Sequence, residues 1–169
     1  MVKRSVLIAL FTLLLINLPI FAQSLSSNMK ILEPLLNNWD GKLASPDGSQ
    51  SWETTRGYNL LWDGSIVKIT NSVPGINSYG EGYFYWDRQE KKVAIIVVNQ
   101  KGIYQKGFVT VEDGLLTIKG KISFPEMTFD YKNTFEFTKD GKMIDRWFQN
   151  AFGGWKPGHV IEFTGVKSK

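Results

Sequence analysis

Beyond Trp39, apolar and polar positions alternate with a period of two, in runs of about five to nine residues broken by Gly, Pro, Asn and Asp. A period of two sends successive side chains to opposite faces of an extended strand. Many short runs at regular intervals predict an all-β sandwich or barrel. The segments fall at 39–45, 50–58, 64–72, 80–87, 91–98, 103–111, 115–122, 130–138, 142–149 and 158–166. Their links are hairpin-sized, so the strands read as a meander. Closing a meander into a barrel removes both exposed edges, which favours a single closed up-and-down antiparallel barrel of about 8–10 strands over a sandwich.

The alternation is cleanest in the eighth segment, where Phe129, Tyr131, Phe135 and Phe137 share one parity and Asp130, Lys132, Thr134, Glu136 and Thr138 the other. The aromatic parity points inward. In the last segment His159, Ile161 and Phe163 oppose Glu162 and Thr164, which turns His159 inward as well. Val93 to Val98 is apolar without interruption, as expected of a strand covered on both faces or set against a partner. Helical spacing occurs once beyond the N-terminal segment: Met29, Leu32, Leu35 or Leu36, then Trp39, opened by Ser26 or Ser27 and kept short by Pro34.

The pairs Trp39-Asp40, Trp62-Asp63 and Trp86-Asp87 recur 23 and 24 residues apart. A propeller blade needs about 40 to 45 residues, so these read as strand-end tryptophans covering a barrel mouth beside turn-forming aspartates. Gly80 and Gly82 precede the strand Tyr83–Trp86 and no helix, so they form no phosphate loop and instead permit a bend or close packing.

The N-terminal pattern differs from the rest. Lys3 and Arg4 precede an apolar run from Val6 to Ala22. A basic start, an apolar stretch and a small residue at its end are the marks of a secretory signal peptide. The expected organisation is a signal peptide at 1–22 and one barrel domain at 23–169, placed in the periplasm or outside the cell. Loss of Lys3 and Arg4 lowers the net charge from +4 to +2. The remaining lysines are scattered, which argues for a solvated exterior and against a nucleic-acid partner.

Composition narrows the chemistry. There is no cysteine and only one histidine, while aromatic residues make up 14 % of the chain, including six tryptophans. Thiolate sites, disulfides and multi-histidine zinc sites are excluded. No Gly-x-Ser-x-Gly elbow presents a serine to His159. Asp40, Asp63, Asp87, Asp113 and Asp140 sit at turn signals, and Asp145, Glu136 and Glu162, though in strands, make no persuasive general acid. The expectation is a protein that is not an enzyme. Arg56 and Arg146 would suit a fatty-acid carboxylate inside a cavity, but pairing with acids on the exterior is the favoured reading of both.

Several motifs then carry a family resemblance: Asn38-Trp39-Asp40-Gly41 after a short helix, Gly80-Glu81-Gly82-Tyr83-Phe84, Gly102 to Gly107, Asp113-Gly114, the Phe135–Gly141 hairpin, and a closing run from Trp155-Lys156 to Ile161-Glu162-Phe163-Thr164. In this order they resemble lipocalin-like (calycin) barrels, nearest to the nitrobindin and fatty-acid-binding branch and to small secreted bacterial domains of that kind. Asn38 stands where those barrels usually place glycine. The resemblance implies a ten-stranded barrel with a ligand cavity, Trp39 plugging one end, and a basic residue, Lys167 or Lys169, covering it in place of the usual arginine. It also implies that His159 is placed to ligate ferric haem.

The functional expectation is a barrel that binds a small hydrophobic or amphipathic ligand, walled by Phe84, Trp86, Phe135, Phe137, Ile161 and Phe163. Ferric haem held by His159 is one alternative. A filled barrel acting through its surface is another, with Trp147, Phe148, Phe152 and Trp155 as the exposed protein-contact patch. No stable membrane insertion is expected, because most segments fall short of the 9–11 residues a membrane-spanning strand needs.

Overall fold

The computed structural model of the chain describes residues 24–150 and 153–166. The proposed signal peptide, Phe152, Lys167 and Lys169 lie outside the described residues. Ten antiparallel strands form one closed barrel: β1 (Asn38–Ala44), β2 (Ser51–Leu61), β3 (Ile66–Val73), β4 (Ser78–Asp87), β5 (Lys92–Asn99), β6 (Tyr104–Glu112), β7 (Leu115–Ser123), β8 (Thr128–Phe137), β9 (Lys142–Asn150) and β10 (Lys156–Val166). Each strand pairs with its sequence neighbours, and β1 closes the circle by pairing with β10 from Asn38↔Val166 to Ala44↔Val160. All ten strands occupy the segments that the alternation predicts.

The helical segment is a 3-10 helix, η1 (Ser27–Leu35), whose buried residues Met29, Leu32 and Leu35 recur every three positions, the period of that helix. η1 packs across one end of the barrel against β4 and β5. The Trp39 indole Nε1 donates to the Leu35 carbonyl at 2.9 Å, tying η1 to β1. Ser26 makes no side-chain cap; its N–H instead donates to Gly64 O in the β2–β3 turn.

Trp62 departs from the expected mouth-covering role. With Asp63 and Gly64 it takes a left-handed backbone in that turn, and its side chain is 75 % exposed. The apolar run of β5 faces both ways: Val93, Ile95 and Val97 are buried, whereas Ile96 and Val98 emerge on the outer face near Tyr83 and Tyr104. At Gly82 an added Cβ would collide with the Ile96 carbonyl of the neighbouring strand, so the close approach expected of this stretch is real.

The interior differs along its axis. At the η1 end it is solid, filled by Trp39, Tyr58, Val67, Phe84, Phe135, Met143 and Phe163 beneath Met29, Leu32 and Leu35. At the other end, where the β1–β2, β3–β4, β5–β6, β7–β8 and β9–β10 connections lie, the interior opens.

The Tyr131 phenol is buried inside β8, and its hydroxyl has no hydrogen-bond partner among the described residues. Burying an unpaired hydroxyl costs free energy. Tyr131→Phe is expected to keep the fold and add about 1 kcal/mol, a rise of roughly 2–4 °C in Tm. Thermal melting followed by circular dichroism reads this directly, and a lower Tm would show that the hydroxyl is bonded.

Candidate functional site

The open end holds a cavity of about 310 Å³. Its apolar wall comes from Leu43 (β1), Val73 (β3), Val97 (β5), Ile103, Trp147 (β9) and Ile161 (β10). Its polar wall comes from Thr54 and Arg56 (β2), Asn71 (β3), Ser78 (β4), Asn99, Gln105 (β6), Asn133 (β8) and His159 (β10). At roughly 30 Å³ per water the space equals about ten water molecules, which is near the lower bound of ligand pockets.

The floor is a buried ion pair. Arg56 Nη1 donates to Asp145 Oδ2 at 2.8 Å, joining β2 to β9 across 89 positions of sequence. Arg56 Nε donates to Asn71 Oδ1 at 2.6 Å, and Asn133 Nδ2 donates to Asp145 Oδ1 at 2.7 Å. The guanidinium also stacks 4.7 Å over the Phe163 ring, which separates it from the filled end. The Arg56 side chain is 11 % exposed and that of Asp145 1 %. Two charges this deep persist only because they are paired and hydrogen-bonded. Just below, burial pushes the Tyr58 phenol up to about 12 despite the neighbouring Arg56.

This floor corrects one expectation. Arg56 faces inward, with Thr54 and Tyr58 on the same parity of β2, and pairs with a buried acid rather than with one on the exterior. Arg146 does pair outside, with Glu136 at 2.8 Å.

His159 lies in the cavity wall near the mouth, its ring stacked on the Trp147 indole at 5.5 Å and 4°. Burial lowers its pKa below the ordinary 6.5, with Asp145 and Arg56 acting in opposite directions. The imidazole is therefore neutral at pH 7. It is the chain's single histidine, and a neutral imidazole is in general a nitrogen donor for metal centres.

The other residues expected in the wall are spread over two heights. Ile161 lines the cavity, whereas Phe84, Phe135 and Phe163 belong to the filled end and Trp86 packs against that core. Phe137 stands at the closed rim, 37 % exposed and 6.4 Å from Trp39. Trp147, expected on the surface, is turned inward by the two-residue alternation of β9, between Asp145 and Gln149. Phe148 and Trp155 do lie outside, flanking the Lys132 ammonium at 4.9 and 5.4 Å. The floor residues Asn71, Asn133 and Asp145 were not anticipated. Asn133 had a readable signal, because it is a polar residue on the inward parity of β8.

Asp145→Ala would strand a buried guanidinium and is expected to cost about 3–5 kcal/mol, whereas Arg56→Met combined with Asp145→Leu recovers most of that loss. Urea unfolding of the three proteins measures it; an undamaged single variant would show that the pair is not closed in solution. For His159, the lowered native pKa means that below about pH 6.5 the unfolded chain binds the extra proton and the native state resists it, so stability falls with acidification. Melting at pH 7.5 and 5.5 should show a smaller loss in His159→Gln than in the native protein.

No protein-family model matches this chain, and no curated protein matches it in sequence. Among solved structures it is similar to the crystal structure of Rv2717c from M. tuberculosis, with a TM-score of 0.57 at 14 % identity, over 85 % of this chain and all of that one. Likeness at that identity shows the fold alone, a closed antiparallel barrel.

Proposed function

We propose that this chain is a non-enzymatic binding protein for one small amphipathic molecule, exported through cleavage after Ala22 and working in the periplasm or outside the cell. The observation that carries this reading is the uneven filling of the barrel. One end is filled by the apolar core; the other leaves about 310 Å³ with an apolar wall and a convergent set of amides. A concave, mostly pre-formed site with a few placed polar groups is what small-molecule binding requires. Export is supported by the basic start and apolar run of residues 1–22. A barrel without ligand would leave this space without purpose, since the filled end alone supplies an aromatic core.

Ferric haem is the second reading, favoured by the neutral imidazole of His159 in the cavity wall. If haem bound there it would supply an iron centre, and His159, beside Trp147 and Ile161 in the wall, would supply a nitrogen ligand. The space is smaller than a porphyrin, so the mouth would have to take part, which places this reading behind the first.

Titration with the neutral fluorophore N-phenyl-1-naphthylamine should give a saturable one-to-one rise in emission that is lost in Ser78→Phe, a variant that fills the cavity from its rim. Absence of saturation, or equal binding by the filled variant, would sink the proposal. A parallel ferric-haem titration decides the second reading: a Soret band lost in His159→Ala supports it, and a band unchanged in that variant removes it.

A further inference from the structure

We infer that the cavity selects an uncharged ligand that both donates and accepts hydrogen bonds, of the amide or lactam class, and discriminates against carboxylates of the same shape. This rests on the reading of the cavity as a ligand site and names what it takes.

Of the residues that line the cavity, Arg56 alone carries a charge at neutral pH, since burial holds His159 neutral. Its counter-ion is already in place. Asp145 is 2.8 Å away and sealed behind the wall by Arg56 and Asn133, so the floor has no net charge to offer an anion. A ligand carboxylate reaching the guanidinium would have to give up its water and sit close to the Asp145 carboxylate. Like charges placed together in a desolvated site are strongly disfavoured.

Geometry points the same way. A carboxylate prefers two parallel N–H groups of one guanidinium fork. Here Nε is bonded to Asn71 and Nη1 to Asp145, so each fork has one nitrogen already engaged. What remains at the floor is a set of single donors and acceptors. Asn71 uses its oxygen on Arg56 and is left with its amide N–H groups; Asn133 uses its nitrogen on Asp145 and is left with its oxygen. A ligand that accepts a hydrogen bond from Asn71 and donates one to Asn133 complements these two leftover groups, which line the same cavity from either side of the ion pair. The apolar side of the same cavity, with Val97, Ile161 and the Trp147 ring, accepts a flat hydrocarbon body.

The test is a matched pair of probes on the full protein, 2-naphthamide and 2-naphthoate, compared by calorimetry at pH 7. The amide is expected to bind one-to-one and at least about tenfold more tightly than the acid. In Asp145→Asn the guanidinium loses its counter-ion, and the ratio should move by about tenfold or more toward naphthoate. Asp130→Asn, at an exposed pair with Lys121, should leave the ratio unchanged. Should Asp145→Asn fail to fold, the native comparison still decides. Naphthoate binding as tightly as naphthamide, or more tightly, would overturn the selectivity while leaving the cavity a ligand site. Binding of neither probe would overturn both this inference and the proposed function beneath it.

Discussion

Pairing between β1 and β10 is the contact on which the rest of the molecule depends. Until those strands meet, a ten-stranded meander has two unpaired edges and no inside. Once Asn38 faces Val166 and Ala44 faces Val160, the same backbone encloses a volume, and every inward side chain acquires neighbours from strands distant in sequence. Ten strands make that volume wider than aromatic side chains from the wall fill by themselves. The chain resolves the excess in two ways. It inserts η1 across one end to complete a solid core, and it leaves the other end hollow.

The boundary between these halves is polar. Phe163 forms the ceiling of the core and the bed for the Arg56 guanidinium, so one ring serves both regions. Above it, Asn71 and Asn133 hold the two charges from either side. Such a network, with its buried bonds mutually satisfied, favours a single arrangement over many nearly equivalent ones. Tyr58 stands beside the guanidinium on the same parity of β2, its phenol buried.

Strand positions and side-chain parity were legible because both are written locally, in which residues alternate and where Gly, Asp and Asn interrupt them. Phe135, Ile161, Phe163 and His159 were correctly turned inward for that reason. Height along the barrel axis is not written locally. Phe163 and Ile161 share a parity and lie two residues apart, yet one seals the core and the other lines the cavity. That distinction comes from the stagger of all ten strands and from where η1 docks. β9 obscured matters further: Met143, Asp145 and Trp147 point in while Ile144, Arg146 and Phe148 point out, so apolar residues occupy both faces. Arg56 and Asp145 stood as charges in two unrelated strands, and nothing short of closure brings them together.

The Arg56–Asp145 contact spans the lumen from β2 to β9, strands separated around the wall by β1 and β10. Its ends lie 89 positions apart in sequence, so no local hairpin brings them together. A slip of β9 by one residue would exchange Asp145 for Ile144, leaving the guanidinium bare, or for Arg146, setting two cations face to face. Local hydrophobicity offers β9 little protection against that slip, because both of its faces are apolar. The ion pair thus serves as a proofreading contact: it makes the misaligned barrels electrostatically untenable and leaves one alignment of β9 in which the ring can close.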